Sequence, residues 1–333
     1  MRFLICGLGS VGRRHLQNLI SLGEKDLVLL RSGKSTMLDE ELSSFPAESQ
    51  IEVALERWKP EAVIVTNPTA LHMQVALPAA LAGCHLFLEK PVSHSMHRIN
   101  ELKEALNRTG KVCQIGFQFR FHPGLLHLKR LLDEGTIGEV LSTRVTWGEY
   151  LPDWHPWEDY RESYSARQDL GGGVLLTLCH PFDYLRWFFG EVEEVWGEVS
   201  HSGSLELDVE DMAEVGLRFT NGVVGSVHLD YLQRPPSHWL EIVGTDGTIR
   251  WDNADGAVQW WSTTTDAWMS ITTPDGFERN HLFMDEIRHF LDLVGGNAKP
   301  ACTLEDGIRS LQIVLAAHQS AQEGCRVLLD HDL

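Results

Sequence analysis

Four groups of residues in this chain have types and spacings suited to chemistry. In Gly7-Leu8-Gly9-Ser10-Val11-Gly12 the first glycine permits a tight turn, the second lets backbone approach a pyrophosphate, and the third allows a helix to pack closely on a strand. Arg31, Ser32 and Lys34 supply cations and a hydroxyl donor in a stretch with no acid before Asp39. Glu89-Lys90-Pro91 sets a primary amine beside a proline. His180 and Asp183 stand at i and i+3, on one face of a predicted helix, behind Gly171-Gly172-Gly173, where missing side chains let backbone come close to a ligand. The first two groups are suited to binding an anion through amides and cations, and the last two to moving a proton.

The elements that must position these groups follow from the pattern of apolar residues. Short apolar runs at Arg2–Cys6, Leu27–Leu30, Ala62–Thr66, His85–Leu88 and Val112–Phe117 read as strands. Helical patterns at Val11–Leu22, Ile51–Trp58, Thr69–Ala82 and Ser95–Asn107 separate them. Strands that are continuously apolar and alternate with helices predict a parallel sheet buried on both faces. The glycine string opens the first helix and Lys90 lies at the carboxyl edge of that sheet, where ligands of such sheets bind.

A helix at Pro123–Glu134 precedes a change of pattern. Longer runs at Val140–Tyr150, Val192–His201, Met212–Thr220, Val223–Leu232, Trp239–Gly244 and Thr248–Trp251 predict a large, mostly antiparallel sheet. Asn221-Gly222 and Asp246-Gly247 are expected as type I′ hairpin turns. Two helices, His281–Val294 and Leu304–Glu323, close the chain. The fold class is therefore α/β, with a dinucleotide-binding domain over 1–120 and an α+β domain for substrate and assembly over 121–333.

Composition narrows the partners. The 333 residues carry a formal net charge of -19, and the excess is uneven: 14 basic and 12 acidic side chains up to residue 120, then 14 and 35. So negative a surface repels nucleic acid and anionic membrane. The six cysteines form no CxxC pair and no zinc-type cluster with histidine, so neither a disulfide framework nor a metal site is expected. The N-terminus lacks a signal-peptide pattern and no apolar stretch is long enough to span a membrane, which predicts a cytoplasmic protein. Gly33-Lys34-Ser35-Thr36 imitates the end of a P-loop, but Val28 stands where that motif needs a glycine.

At the end of the second strand, NAD sites usually place an acid to accept from the ribose hydroxyls, whereas a 2′-phosphate needs donors. Arg31, Ser32 and Lys34 therefore favour NADP, with NAD the alternative.

These motifs, together with Thr66-Asn67-Pro68-Thr69-Ala70-Leu71-His72 after the third strand, resemble the Gfo/Idh/MocA family of nicotinamide-dependent oxidoreductases over nearly the whole chain. Glu-Lys-Pro at the end of the fourth strand is the most specific mark. The resemblance implies cofactor contacts from Gly7, Gly9, Ser10, Val11, Gly12, Thr66, Asn67, Pro68, His72, Glu89 and Lys90, a cis peptide before Pro91, and a proton-handling role for Lys90. It also implies that His180 lies beside the substrate, with an aspartate one turn earlier. Leu176 or Thr177 occupies that place instead.

Either His180 acts as acid/base while Lys90 orients the substrate oxygen, or the reverse. A polar, aromatic stretch over 150–164 offers His155, Arg161 and Tyr164 as contacts for a sugar-like substrate, joined by Arg120 and Asp183. The expected activity is hydride transfer to or from a hydroxyl- or carbonyl-bearing carbon of a sugar, cyclitol or derivative. The alternatives are a non-catalytic NADP-sensing regulator and a reductase of a non-sugar carbonyl such as a dihydrodiol. A broad sheet with one face free of helices predicts a homodimer or homotetramer.

Overall fold

The computed structural model describes residues 1–33 and 42–330. The chain forms two compact units, Met1–Gln118 with Asp169–Gly171 and Glu278–Ile308, and Phe119–Gln168 with Gly172–Phe277 and the chain from Arg309 onward.

In the first unit β1 (Arg2–Cys6), β2 (Asp26–Leu30), β3 (Ala47–Glu48), β4 (Ala62–Val65), β5 (His85–Glu89) and β6 (Cys113–Gly116) form one parallel sheet in the order β3-β2-β1-β4-β5-β6. Its inner strands are apolar and buried along their length, Phe3 to Cys6 and Ala62 to Val65, because helices cover both faces. Those helices are α1 (Ser10–Ser21), α2 (Ile51–Trp58), α3 (His72–Leu81) and α4 (Ile99–Thr109). The strand order reverses between β1 and β4, so the loops after both strands border the crevice in which doubly wound sheets bind ligands.

The second unit begins with α5 (Pro123–Asp133) and is built on β7 (Val140–Gly148), β8 (Val192–Ser200), β9 (Met212–Phe219), β10 (Val224–Asp230), β11 (Ser237–Gly244), β12 (Gly247–Asp252), β13 (Val258–Ser262), β14 (Ala267–Ile271) and β15 (Val327–Leu328). These form a sheet in the order β14-β13-β12-β11-β7-β10-β9-β8-β15, antiparallel except for the pair β10 and β7. Between β7 and β8 lie α6 (Val174–Thr177) and α7 (His180–Phe189).

Both expected hairpins pair antiparallel, but neither turn is type I′. That type needs positive φ at both central residues; Gly222 alone has it in the first turn, and neither Asp246 nor Gly247 has it in the second. Gly222 follows a Phe219–Gly222 backbone bond, giving a three-residue loop with the glycine in the left-handed position.

Alternation sets the two faces of this sheet. Val215, Leu217, Val227, Leu229, Leu240 and Ile242 are buried. The opposite face is laced with ion pairs: Arg250 with Glu241 at 2.8 Å, Arg218 with Glu194 at 3.3 Å, and His228 between Glu214 at 2.6 Å and Asp230 at 2.9 Å. Hydrogen bonding to Asp230, strengthened by Glu214, raises His228 to about 9 and keeps it a cation. This face is charged, so hydrophobicity alone does not require its burial.

Two helices close the chain, α8 (Arg279–Val294) and α9 (Leu304–Glu323). The sequence places α8 in the second domain; the structure returns it to the first. Ile287, Phe290 and Leu293 join Phe3, Ile5, Leu16, Leu19 and Phe87 in one apolar core, because a period-3.6 stripe specifies a buried face without specifying its partner.

Candidate active site

The glycine string makes the turn from β1 into α1. Gly7 has φ 91°, and a Cβ there would come 2.5 Å from the Asn67 nitrogen. A Cβ on Gly12 would lie 1.9 Å from the Gly7 oxygen and 2.6 Å from Thr66 Oγ1. The Thr66 hydroxyl itself donates to the carbonyls of Cys6 (3.0 Å) and Gly7 (2.6 Å), tying the loop after β4 to the turn. A Cβ on Gly9, the N-cap of α1, would meet no protein atom within 4 Å.

The first and third glycines are thus required by the protein's own packing, while the second faces open space. The half-buried first turn there, with Ser10 and Val11 behind the exposed Gly9, can offer amides to a pyrophosphate. Asn67 Oδ1, buried nearby, has no partner among the described residues. This cradle fits a dinucleotide.

Gly12→Ala should accordingly lower unfolding free energy by about 1–3 kcal/mol through overpacking, whereas Gly9→Ala should unfold like the parent and bind the dinucleotide more weakly. Thermal melts with and without dinucleotide separate the two effects.

At the end of β2 the Arg31 amide donates to the Glu48 carbonyl at 2.9 Å, and Ser32 is exposed. Lys34, the third member of the expected clamp, lies outside the described residues. Glu48 brings the only acid of β3 to this edge, but its carboxylate accepts from Arg57 (3.0 Å) and Trp58 (2.9 Å).

Two expected cofactor residues are turned into the unit. His72 is buried, its Nε2 2.9 Å from the Asn67 carbonyl and Nδ1 3.3 Å from that of Val92, so it pins the loop after β4 to the segment after Pro91. Burial lowers its pKa, so the neutral ring donates to one of these two carbonyls, whichever its tautomer selects. Glu89 accepts from His15 at 2.7 Å and from the Lys90 amide at 3.2 Å. A Cβ on Gly116 would come 3.1 Å from the Glu89 carboxyl, so this glycine makes room for the acid.

His15, fully buried on α1, was not singled out from sequence; its only signal is its place three residues after Gly12. The result is a braced base for Lys90, which is half-buried and joined to Pro91 by a cis peptide.

In the second unit His180 opens α7, buried, edge-on to Phe119 at 5.0 Å and 5.5 Å from Trp147. Trp147 stacks on His238 at 4.2 Å, and the Tyr184 hydroxyl lies 3.2 Å from His238 Nε2. Burial drives His238 well below the ordinary histidine value and His122 down to about 4, so the wall behind His180 is uncharged at neutral pH. Thr177, at one of the two places for the missing aspartate, is buried, and the Tyr231 phenol donates to the Ser165 carbonyl at 3.3 Å. A hydroxyl there is no acid/base at neutral pH.

The expected substrate contacts fare unevenly. Arg120 and Asp183 bind one another through two bonds of 2.9 and 2.7 Å, both buried, so the aspartate's two oxygens are engaged by the guanidinium. Arg161 is exposed and paired with Asp159 (3.1 Å) and Glu206 (3.2 Å), because neighbouring acids in this acidic half capture it. His155 lies against Trp157, ring centroids 4.9 Å apart, with its buried Nδ1 lacking a partner among the described residues. Tyr164 is half-buried, and its carbonyl lies where a Cβ on Gly172 would be, 2.4 Å away.

Among the described residues no group of three or more His, Cys, Asp or Glu side chains is arranged to hold a metal, and no helix is long and apolar enough to cross a membrane.

Comparison with known proteins joins the two units. Residues 1–117 match the oxidoreductase family with an NAD-binding Rossmann fold, and residues 125–250 match the GFO/IDH/MocA C-terminal domain. The chain is 28% identical to myo-inositol 2-dehydrogenase of Thermotoga maritima, covering 99% of both chains. It is 27% identical to the NAD(+)-dependent scyllo-inositol 2-dehydrogenase of Bacillus subtilis, covering 99% of this chain and 96% of that one. Levoglucosan dehydrogenase, solved with NADH, shares the fold with a TM-score of 0.86 at 21% identity, over 99% of each chain. With a dinucleotide cradle at the switch point, Glu-Lys-Pro closing β5 and a glycine run leading into His180, the chain belongs to the Gfo/Idh/MocA family of NAD(P)-dependent oxidoreductases.

Proposed function

We propose that this protein transfers hydride between a nicotinamide dinucleotide and a hydroxyl- or carbonyl-bearing carbon of a sugar, cyclitol or sugar derivative, preferring NADP to NAD, with Lys90 and His180 moving the proton. The observation that carries the substrate class is the end-to-end likeness to two inositol dehydrogenases in a chain that has Lys90 at the end of β5 and His180 at the start of α7.

A nicotinamide dinucleotide held by the cradle at Gly7, Gly9 and Gly12 would supply the hydride chemistry. What remains for the protein is the hydroxyl proton, released on oxidation and restored on reduction. A neutral Lys90 amine accepts it at Nζ while His180 holds the oxygen, or a His180 ring nitrogen accepts it while the Lys90 ammonium holds the oxygen; each is a general-base step. Asp183 is engaged by Arg120 and Thr177 carries no carboxylate, so these two side chains share the task between them. Oligomers, a homodimer or homotetramer, would pair charged sheet faces by matching their ion pairs.

The NADP preference rests on the end of β2, where Arg31 and Ser32 stand and the Glu48 carboxylate is held by Arg57 and Trp58. Fluorescence titration should find NADPH bound more tightly than NADH. Arg31→Ala should weaken NADPH about 10- to 100-fold and leave NADH unchanged, as expected for loss of a charge-assisted bond. NADH binding at least as tight as NADPH in the parent overturns the preference. An absorbance screen at 340 nm (a wavelength set by the reduced nicotinamide) over inositols, sugars and sugar acids tests the substrate class, and turnover confined to non-sugar carbonyls overturns it.

A further inference from the structure

A buried carboxyl with no place in the proton transfer holds the segment that leads into His180. Glu210, in the connection between β8 and β9, is 8% exposed. Its carbonyl accepts from the Val174 amide at 3.1 Å and its Oε1 from the Leu175 amide at 3.2 Å, so one residue takes the first two amides of α6. Gly173 has φ 106°, and a Cβ there would lie 2.4 Å from Glu210 Oε1, so the last glycine of the run leaves the space this carboxyl fills. Only Leu178 and Cys179 separate α6 from His180.

We propose that Glu210 is a positioning residue for His180: its carbonyl and its carboxyl hold the glycine run and α6, and with them the start of α7, in place. This rests on the role given to His180 above.

The groups facing the carboxyl are the neighbouring Asp211, Tyr231 after β10, and His318 on α9, whose Nε2 is 3.6 Å from Oε1. Burial lowers the pKa of His318, leaving no cation there at neutral pH to offset a negative charge. Burial, with a smaller push from Asp211, raises Glu210 to about 7 against the pull of two backbone amides, its own and that of Leu175.

The folded arrangement therefore prefers the protonated carboxyl. The stability this gives is complete below the ordinary value of 4.5 and is lost as pH rises to about 7, above which the loss levels off. Any local opening that wets Glu210 follows the same course.

The test uses the full chain and three readouts. In the parent, amide exchange of the peptide spanning 172–180, corrected for intrinsic rates, should be about tenfold faster at pH 7.5 than at pH 5.5, by linkage. Glu210→Gln, neutral at all pH and of the same shape, should abolish that difference. With a substrate found by the absorbance screen, the ratio of kcat for Glu210→Gln to kcat for the parent should rise over the same interval with KM unmoved. Glu210→Ala, which empties the space beneath Gly173, should lower kcat about tenfold at constant KM, and the glutamine variant should not.

Exchange of the 172–180 peptide and kcat both unchanged in Glu210→Ala overturn the proposal. Exchange needs neither substrate nor turnover, so it is measurable even if Glu210→Gln folds poorly. Full turnover by His180→Ala would instead refute the proton-handling role while leaving the exchange result standing.

Discussion

Lys90→Met is expected to cut turnover about 10²- to 10⁴-fold, the usual contribution of a positioned acid or base, while NADPH still binds. Methionine keeps the length and apolar stem of lysine and removes only the amine. The backbone at residue 90 is held by groups the substitution leaves alone: the Glu89 carboxylate takes the residue-90 amide, His15 holds that carboxylate, and Pro91 follows. The cradle at Gly7, Gly9 and Gly12 is built on a different strand. Turnover and NADPH fluorescence should therefore part company in this variant. Undiminished kcat would remove Lys90 from the chemistry, and loss of NADPH binding would make it a cofactor anchor instead.

Asp183→Ala should destabilise the second unit by about 3–5 kcal/mol, because it leaves the Arg120 guanidinium buried without its counter-charge. The side chains of the pair are 6% and 1% exposed. The double variant Arg120→Met with Asp183→Leu replaces both charges by apolar groups and should recover most of that loss, since well-packed apolar residues often match a buried ion pair. Urea unfolding followed by tryptophan fluorescence suits the measurement, because 10 of the 11 tryptophans lie after residue 120. If Asp183→Ala left the urea midpoint unchanged and raised KM, the aspartate would be a substrate contact after all.

Periodicity in the sequence was enough to read the first sheet apart from β3. Its strands alternate with helices in short, regular steps, and the glycine string could be assigned three separate roles because each follows from local backbone needs. The second sheet was read less completely. Strand β14 is mostly apolar, Ala-Trp-Met-Ser-Ile, yet all five of its residues are exposed, so no alternation of buried and exposed positions marks it, and β15, like β3 in the first sheet, has only two residues and no period at all.

The site divides in the same way. Lys90 and His180 were singled out from motif and spacing. The bonds that support or reassign their neighbours join residues far apart in sequence: His15 with Glu89, Arg120 with Asp183, Leu175 with Glu210. Only the fold brings these together, so the sequence showed Asp183 on the face of His180 without showing the arginine that claims it.

The return of α8 to the first unit also sets a schedule for synthesis. A nascent chain that has emerged as far as residue 120 holds all six parallel strands, yet Ile287, Phe290 and Leu293 are still to be made. Until then Leu16, Leu19 and Phe87 lack part of their cover, and apolar surface left open during synthesis invites aggregation. The dinucleotide unit thus completes its core only after every strand from β7 to β14 has been made.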